Sequence, residues 1–374
     1  MNHSLFKRYP FLVERLPWIP LGEFPTTVEK LSGLCRRYDR DNLFIKRDDL
    51  SSPIYGGNKI RKLEFLLADA LKQGVVRVMT SGGVGSNHAL ATALYARHVG
   101  LKAALMLYRQ INSHAVRENL LMAHSCGADL FHHETYQEHL RAFEEIRQHY
   151  ETTDGKSPYI IPLGGSSPVG ALGYVNAGFE LAEQITAGAL PIPSRIYLAL
   201  GTMGTAAGLL LGLKAVGITT CLHAVRVVPP YVADRDRFLL LFNQINGLLR
   251  ELDPSFPLYS IEPGDLTIHH EYFGETYGLY TQEAIDAMAL LRESDEIILD
   301  GTYTGKAFAA FLADVRSGND DPVLFWNTKN SRPLSKEALA TDYRLLPAPF
   351  HYYFTEPVQP LDRESFNTLH SREF

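Results

Sequence analysis

A lysine at the start of an apolar helical pattern has the clearest chemical potential in this sequence. Lys59 directly follows two glycines and an asparagine, and it precedes apolar residues at helical spacing from Leu63 to Leu71. The glycines let the backbone approach a ligand, and Asn58 is a good candidate for the helix N-cap. The positive end of the helix dipole disfavours a charged amine at this terminus. A lysine that sheds its proton can form a Schiff base with an aldehyde cofactor.

A second lysine, Lys62, falls on roughly the same face of the predicted helix. Residues three apart on a helix are neighbours, so its ammonium could hold an anion such as a phosphate. Taken alone, the pattern favours a capped surface helix whose two lysines are solvated. The choice between these interpretations depends on other segments.

Two glycine-rich loops favour a ligand site. The predicted strand 75–80 leads into the loop 81–88, and the predicted strand 196–200 leads into the loop 201–208. Each loop precedes an apolar helical pattern, and backbone N–H groups at a helix N-terminus bind anions. One such loop is weak evidence, because tight packing of a strand against a helix also selects glycine. Two loops and Lys59 together favour an anion-binding site over packing alone.

The order of these segments resembles an enzyme family. Gly-Gly-Asn-Lys-x-Arg-Lys-Leu-Glu at 56–64, Gly-Gly-x-x-Ser-Asn-His at 82–88 and a Gly/Thr-rich loop at 201–205 follow one another as in pyridoxal-phosphate enzymes of the tryptophan synthase β type. The segment 300–307 resembles that family's Asp-Pro-Val-Tyr-x-Gly-Lys, and Tyr277 falls where the family has a second active-site tyrosine. The chain is most similar to the branch of D-cysteine desulfhydrase and 1-aminocyclopropane-1-carboxylate deaminase, over about residues 20–330.

The resemblance implies an α/β fold of two lobes with parallel twisted sheets covered by helices, the tryptophan synthase β-like fold type II. The alternation of predicted strands and helices agrees with parallel sheets. A small lobe, residues 62–189, is expected to be inserted into a large cofactor-binding lobe formed by residues 1–61 and 190–345. Residues 346–374 are expected to form a C-terminal tail that wraps the surface or contacts a second copy in a homodimer.

The resemblance also implies roles for individual residues. Lys59 would carry pyridoxal 5′-phosphate and act as the base at Cα. The residues expected to take part in catalysis are Lys59, Ser86, Tyr277 and Tyr303. The substrate carboxylate is expected at Ser86, Asn87 and His88. No metal site is expected, and the residues expected to bind the cofactor are Lys59, Lys62, Asn87, Gly201, Thr202, Met203, Gly204, Thr205 and Thr304.

Two threonines bear on the substrate. Thr304 stands where the deaminase branch resembles a glutamate, and a hydroxyl there leaves the pyridine nitrogen of the cofactor effectively neutral. That weaker electron sink suffices to eliminate a thiol but not to open a cyclopropane, and Thr328 also matches the desulfhydrase branch. We therefore predict a lyase that performs α,β-elimination on a small D-amino acid such as D-cysteine. Because Gly85 and 329–330 depart from the family, a 1-aminocyclopropane-1-carboxylate deaminase and a non-catalytic protein of this fold remain alternatives.

The resemblance implies an enzyme of amino-acid metabolism, and the composition fits a soluble enzyme of this kind. The 374 residues favour two lobes, and 45% hydrophobic residues suffice for a sizeable core. A net charge of −6 and the lack of a basic stripe argue against a nucleic-acid partner. No apolar run approaches membrane-spanning length, and no signal peptide is expected because residues 1–20 carry charges throughout. Three distant cysteines, Cys35, Cys126 and Cys221, indicate a reducing compartment, so a cytoplasmic location is expected.

Other patterns are weaker. A nicotinamide-dependent dehydrogenase would explain the glycine-rich loops, but it leaves both lysines unused and lacks a clear ribose-binding acid about 20 residues after the first loop. His132, His133 and His139 lack the spacing of a metal site, and they are predicted to lie on a solvated helical face.

Overall fold

A computed structural model describes residues 3–363 as an α/β protein with two sheets. Short 3₁₀ helices occur at Asp48–Leu50, Leu163–Gly165, Tyr343–Leu345 and Ala348–Phe350. The strands are β1 (Val28–Lys30), β2 (Leu43–Lys46), β3 (Arg77–Gly83), β4 (Lys102–Tyr108), β5 (Asp129–His133), β6 (Tyr159–Ile161), β7 (Arg195–Leu200), β8 (Cys221–Arg226), β9 (Leu266–His269) and β10 (Val323–Trp326). The α-helices are α1 (Ser4–Arg8), α2 (Leu12–Arg15), α3 (Ser32–Arg37), α4 (Lys59–Lys72), α5 (Asn87–His98), α6 (His114–Ser125), α7 (Tyr136–Thr153), α8 (Pro168–Thr186), α9 (Gly204–Ala215), α10 (Arg235–Leu252), α11 (Gln282–Asp295), α12 (Thr304–Arg316), α13 (Lys336–Leu339) and α14 (Tyr352–Thr355).

The larger sheet contains six strands in the order β1-β2-β10-β7-β8-β9. β1 is antiparallel to β2, and the other neighbours pair in parallel. Every residue of β2 and β10 is buried, as is typical of parallel strands covered on both faces. Because β2 lies beside β10, segments from both ends of the chain build this sheet.

The smaller sheet contains four parallel strands in the order β5-β4-β3-β6. β3 extends beyond the predicted strand 75–80, because Ser81 to Gly83 continue the pairing with β4. Gly83 pairs with Tyr108, and Tyr108 pairs with His133, so three carboxyl ends align at one edge. In open α/β sheets, ligands bind at this edge.

Small residues let α8 and α9 approach closely. A Cβ built on Gly208 would lie 2.3 Å from the Ala171 oxygen, and a Cβ on Gly178 would lie 2.7 Å from the Gly212 carbonyl carbon. Both helices contribute to the main apolar cluster of the larger sheet. α8 therefore packs against the larger sheet although it belongs to the segment 62–189. The predicted lobe boundaries stay a prediction.

The segment that follows β10 packs against the helices of the smaller sheet. Leu346, Phe350 and Tyr353 are buried in the same apolar cluster as Leu90 and Val116. The first part of the predicted C-terminal tail therefore covers these helices. Residues 364–374 of that tail lie outside the described part of the chain.

The solvated helical face predicted for the histidines was wrong. His132 and His133 lie in β5, and His139 of α7 is buried with its Nε2 3.1 Å from the Ser81 hydroxyl. α7 starts only after Thr135, because the Thr135 and Glu138 side chains form a capping box at its first turn.

A buried network of charged side chains connects segments that are far apart in the sequence. The Arg61 guanidinium donates to Asp48 at 2.9 Å and to Glu180 at 2.9 Å, and Lys46 donates to Glu180 at 2.5 Å. The Trp326 indole also donates to Asp48. Burial alone would raise the pKa of Asp48, but the Arg61 charge outweighs it and holds the pKa at about 2. The network thus connects α4, α8, β10 and the segment at the end of β2.

Replacing Arg61 by methionine should strongly destabilise the fold, because it removes the cation that two buried carboxylates share and leaves Lys46 alone to offset both charges. We expect the free energy of unfolding at pH 7 to fall by about 3–5 kcal/mol, measured by denaturant titration. Since the pKa of Asp48 is lowered in the folded state, its contribution is present above about pH 4 and is lost as the pH falls towards 2. The difference in the free energy of unfolding between the variant and the wild type should therefore become smaller in acid.

Arg147→Met is the matched control. Arg147 also bonds two carboxylates, Glu144 and Glu151, but on the exposed face of α7. Exposed ion pairs contribute little to stability, so this variant should unfold almost like the wild type. An equally small effect of Arg61→Met would contradict the importance of the network.

Candidate active site

Lys59 opens α4 and is partly buried at the junction of the two sheets. Its Nζ donates to the Asn58 Oδ1 at 2.8 Å. Burial lowers the pKa of this amine to about 8, although the charge of Asp300 opposes the shift. Lys59 can therefore lose its proton near neutral pH.

Asn58 does not cap α4 with its side chain, contrary to the prediction. Its backbone is helical, and no side-chain capping bond forms. Instead, its Nδ2 donates to the Thr205 Oγ1 at 2.9 Å, while its Oδ1 accepts from Lys59. The sequence could not show this because Thr205 is 147 residues away. Asn58 thus connects the lysine to the loop 201–205.

The Gly56–Gly57 turn packs directly on the loop that follows β10. Gly57 has a φ of +99°, and a Cβ there would lie 2.8 Å from the Thr328 carbonyl oxygen. The Gly56 N–H donates to the Asn330 Oδ1 at 2.6 Å. Both glycines are therefore required by the backbone conformation and by close packing. Thr328 and Asn330 lie beneath the turn that carries Lys59.

The loop 201–205 joins β7 to α9. Met203 adopts a left-handed conformation with a φ of +67°, immediately before the first helical residue, Gly204. A Cβ built on Gly201 would meet no atom within 4 Å, so the loop borders open space. The backbone N–H groups and the positive end of the α9 dipole make this loop a site for an anion.

Lys62 points towards a third loop, at residues 163–166. Its Nζ donates to the Gly164 carbonyl at 3.0 Å and to the Ser166 hydroxyl at 3.1 Å. The Ser166 hydroxyl also lies 2.7 Å from the Thr202 hydroxyl and accepts from the Gly204 N–H. Burial, with the Lys59 charge second, lowers the pKa of Lys62 well below its usual value. Lys62 therefore supports the anion loop through Ser166.

No role was predicted from the sequence for the loop 163–166. The signal was the Gly164-Gly165-Ser166 run, where both glycines have a positive φ. A Cβ on Gly164 would lie 2.0 Å from the Thr202 hydroxyl oxygen, so this loop must approach the anion loop closely. Such a contact between distant segments is not encoded in local spacing.

The loop after β3 contributes Ser86 and Asn87. Ser86 caps α5 by accepting from the Ala89 N–H at 3.2 Å. The Asn87 Oδ1 accepts from the Asn119 Nδ2 at 3.0 Å and from the Tyr55 hydroxyl at 3.3 Å. The side chain of Asn87 is thus fixed at the N-terminus of α5, where an anion is favoured.

The His88 ring lies away from these groups. It is buried, and its Nε2 is 3.0 Å from the Thr80 hydroxyl inside the smaller sheet. Burial and then the charges of Lys59 and Lys62 lower its pKa well below the usual value. The ring is therefore neutral, and only the backbone of His88 belongs to the α5 N-terminus.

Tyr277 and Tyr303 meet through their hydroxyl groups. Burial, followed by the neighbouring Tyr303, raises the pKa of Tyr277 well above its usual value. Burial also raises the pKa of Tyr303, while the bond from Tyr277 partly offsets the shift. The pair therefore holds its protons at neutral pH. One hydroxyl donates to the other, and the accepting hydroxyl keeps its own proton to donate to a third group.

Thr304 is fully buried at the start of α12. Its hydroxyl accepts from the Asp300 N–H at 2.9 Å and donates to the Asp300 Oδ2 at 3.1 Å. The other carboxylate oxygen of Asp300 accepts from the backbone N–H groups of Thr302 and Tyr303. Asp300 thus restrains Tyr303, and its charge also acts on Lys59. No role was predicted for Asp300 from the sequence.

Gln110 is a second residue that the sequence analysis missed. It follows β4, and its Oε1 accepts from the Gly85 N–H at 3.1 Å. A Cβ on Gly83, Gly85 or Gly278 would come within 3.2 Å of the Gln110 side chain, so three glycines leave the space that it fills. Gln110 therefore lies between the α5 loop and the loop of Tyr277. No local motif surrounds it.

Comparisons with known proteins agree with this geometry. The chain is 32% identical over 328 residues to D-cysteine desulfhydrase of Serratia proteamaculans, covering 84% of this chain and 94% of that protein. It is 35% identical over 324 residues to nocardicin C-9′ epimerase of Nocardia uniformis subsp. tsuyamanensis, covering 85% and 94%. The structure of an ACC deaminase homologue superposes with a TM-score of 0.73 at 32% identity, covering 88% of this chain and 95% of that one.

These similarities confirm the predicted two-lobed α/β fold of the tryptophan synthase β type. The family described as pyridoxal-phosphate dependent enzymes matches residues 19–329, which include Lys59, the loops at 163–166 and 201–205, and both tyrosines. The chain belongs to the family of pyridoxal-phosphate dependent enzymes.

Proposed function

We propose that this enzyme is a lyase that performs α,β-elimination on a small D-amino acid, with D-cysteine as the substrate and pyruvate, sulfide and ammonia as the products. The observation that carries the proposal is the position of Lys59. Its amine has a lowered pKa, and its neighbour Asn58 bonds Thr205 at the N-terminus of α9. The charge of Asp300 acts both on Lys59 and on the two tyrosines. A base, an anion site and a pair of proton donors are thus concentrated in one region.

The residues present fit pyridoxal 5′-phosphate. An aldehyde requires an amine that can lose its proton, and Lys59 meets this requirement. A phosphate requires backbone donors and space, and the loop 201–205 offers both beside Gly201. Lys62 would support this loop, Asn87 would contact the ring hydroxyl, and Thr304 would lie near the ring nitrogen. When bound, the cofactor supplies the electron sink that makes a Cα proton acidic.

The chain's own residues would then perform the proton transfers. Ser86 and the N–H groups at the start of α5 would hold the substrate carboxylate, which fixes the orientation of Cα. Lys59 Nζ would take the proton from Cα, and the electron pair of the Cα–H bond would form a Cα=Cβ double bond. The Cβ–S bond would break with its electron pair leaving on sulfur. The hydroxyl pair of Tyr277 and Tyr303 would donate a proton to that sulfur. Water then completes the release of pyruvate and ammonia.

Epimerisation at Cα is a second candidate. It is favoured by the 35% identity to nocardicin C-9′ epimerase, a value equal to that found for the D-cysteine desulfhydrase of Yersinia enterocolitica. Epimerisation needs the same removal of a Cα proton by a base, followed by its return to the opposite face. Elimination differs because a leaving group departs from Cβ.

The proposal also includes the cellular location of the enzyme and its oligomeric state. No helix within residues 3–363 is both long and apolar enough to cross a membrane. Cys35, Cys126 and Cys221 are all free thiols, which supports a reducing compartment. We propose that the enzyme works in the cytoplasm as a homodimer, as the family resemblance implies.

Replacing Lys59 by methionine should abolish both turnover and the covalent bond to the cofactor that borohydride reduces. The measurement is the mass of the reduced protein after exposure to pyridoxal 5′-phosphate. Lys306→Met is a demanding control, because burial also lowers the pKa of Lys306 to about 8. The Lys306 amine donates to the Phe273 carbonyl at 2.6 Å. The Lys306→Met variant should therefore keep the covalent bond to the cofactor. A cofactor bond that survives in Lys59→Met and disappears in Lys306→Met would reassign the lysine.

Replacing Thr304 by glutamate should depress elimination. The carboxyl introduced at position 304, placed beside the charge of Asp300, would be protonated. It could then offer its proton to the pyridine nitrogen of the cofactor, which would alter the electron sink. We expect kcat for D-cysteine to fall about tenfold, equivalent to about 1.4 kcal/mol, together with a shift of the cofactor absorbance band. Thr304→Ser keeps the hydroxyl and should behave like the wild type. If the spectra and kinetics of both variants match those of the wild type, residue 304 does not contact the ring.

A substrate panel tests the function itself. D-Cysteine and β-chloro-D-alanine should yield pyruvate and ammonia, whereas 1-aminocyclopropane-1-carboxylate should open much more slowly or not at all. Running the panel in deuterium oxide distinguishes epimerisation from elimination, because an epimerase returns the intact amino acid with deuterium at Cα. Efficient ring opening without release of sulfide from D-cysteine would select the deaminase, and absence of turnover on the whole panel would favour a non-catalytic protein.

A further inference from the structure

The C-terminal strap, residues 351–363, lies beyond the region that matches the enzyme family, which ends at residue 329. It runs from the helices of the smaller sheet to the loop that carries Tyr277. Its contacts with that loop are polar, specific and buried.

The strap is anchored at the start of α6. The Asn112 Nδ2 donates to the carbonyl oxygens of Tyr353 at 2.9 Å and Glu356 at 3.0 Å. The Asp362 carboxylate accepts from the His114 backbone N–H at 2.6 Å and lies 3.0 Å from its Nδ1. Both ends of the strap are therefore fixed to the same turn.

Gln359, between these anchors, reaches the loop of Tyr277. Its side chain is 6% exposed, its Oε1 accepts from the Tyr280 N–H at 2.7 Å, and its Nε2 donates to the Gly278 carbonyl at 2.9 Å. Its own N–H donates to the Asn112 carbonyl at 3.0 Å. One side chain thus satisfies the Gly278 carbonyl and the Tyr280 N–H, and it connects the loop of Tyr277 to α6.

We infer that Gln359 is a positioning residue for Tyr277, and that the strap holds the Tyr277 hydroxyl against Tyr303. The inference rests on the proposed function, in which this tyrosine pair donates a proton. Loss of the two bonds leaves a buried N–H and a buried carbonyl without partners, so the loop must rearrange to reach water. A displacement of about 1 Å at a proton donor is costly for turnover.

Gln359→Ala tests the inference, and Asn246→Ala is its matched control. Asn246 is also buried, and its side chain accepts from the Tyr259 N–H at 2.7 Å and donates to the Pro257 carbonyl at 2.9 Å. The control therefore removes the same pair of bonds from a loop outside the site. With D-cysteine and the holoenzyme, we expect kcat to fall about tenfold or more in Gln359→Ala with little change in KM, and to stay within about twofold in Asn246→Ala.

Hydrogen exchange gives a readout that does not depend on turnover. The amide of Tyr280 should exchange at least about tenfold faster in Gln359→Ala than in the wild type, whereas Asn246→Ala should accelerate only Tyr259. Gln359→Glu keeps the acceptor for Tyr280 but loses the donor to Gly278, so it should show an intermediate effect. It also serves as the test variant if Gln359→Ala does not fold.

A double-mutant cycle with Tyr277→Phe separates the inference from the proposed function. If Gln359 acts through Tyr277, the two substitutions together should cost little more than Tyr277→Phe alone. Additive effects, or wild-type kinetics in Gln359→Ala beside an impaired Tyr277→Phe, would overturn the inference. If the wild type does not turn over D-cysteine, the proposed function fails, and unchanged exchange at Tyr280 in Gln359→Ala then overturns the inference independently.

Discussion

The bond between Arg61 and the two carboxylates of Asp48 and Glu180 is the constraint on which the site depends. With Lys46, which also bonds Glu180, four charges with almost no exposure must satisfy one another, because none can turn to water. Arg61 lies two residues after Lys59 on α4, so the network that fixes the guanidinium also fixes the direction of the helix start. An error in that direction would move the lysine relative to the anion loop.

Glycine completes this geometry where segments from distant parts of the chain meet. Gly57 packs against the loop after β10, Gly164 packs against Thr202, and Gly83 packs against Gln110. A Cβ at any of these positions would come within 3 Å of a neighbouring atom. The ion network therefore sets the positions of the elements, and the glycines let their loops approach closely enough to surround a small ligand.

Local sequence patterns predicted the segments of the site but not the contacts between them. The strand 196–200 and the helix after Lys59 follow from apolar periodicity, and β7 and α4 confirm them. Asn58 was predicted as a helix cap because its nearest neighbours allow it, yet its partner Thr205 is 147 residues away. Gln110 carries no motif at all. Its place depends on how β3 and β4 align, which no spacing along the chain encodes.

Proton affinity alone does not select the lysine that bonds the cofactor. Burial lowers the pKa of both Lys59 and Lys306 to about 8, and the charge of Asp300 opposes the shift in both. Their amines differ in what they contact. Lys306 donates to a backbone carbonyl at 2.6 Å, whereas Lys59 donates to Asn58, whose side chain continues to the α9 N-terminus. An amine must be both reactive and placed beside the phosphate site, and of these two lysines Lys59 is the one joined to that site.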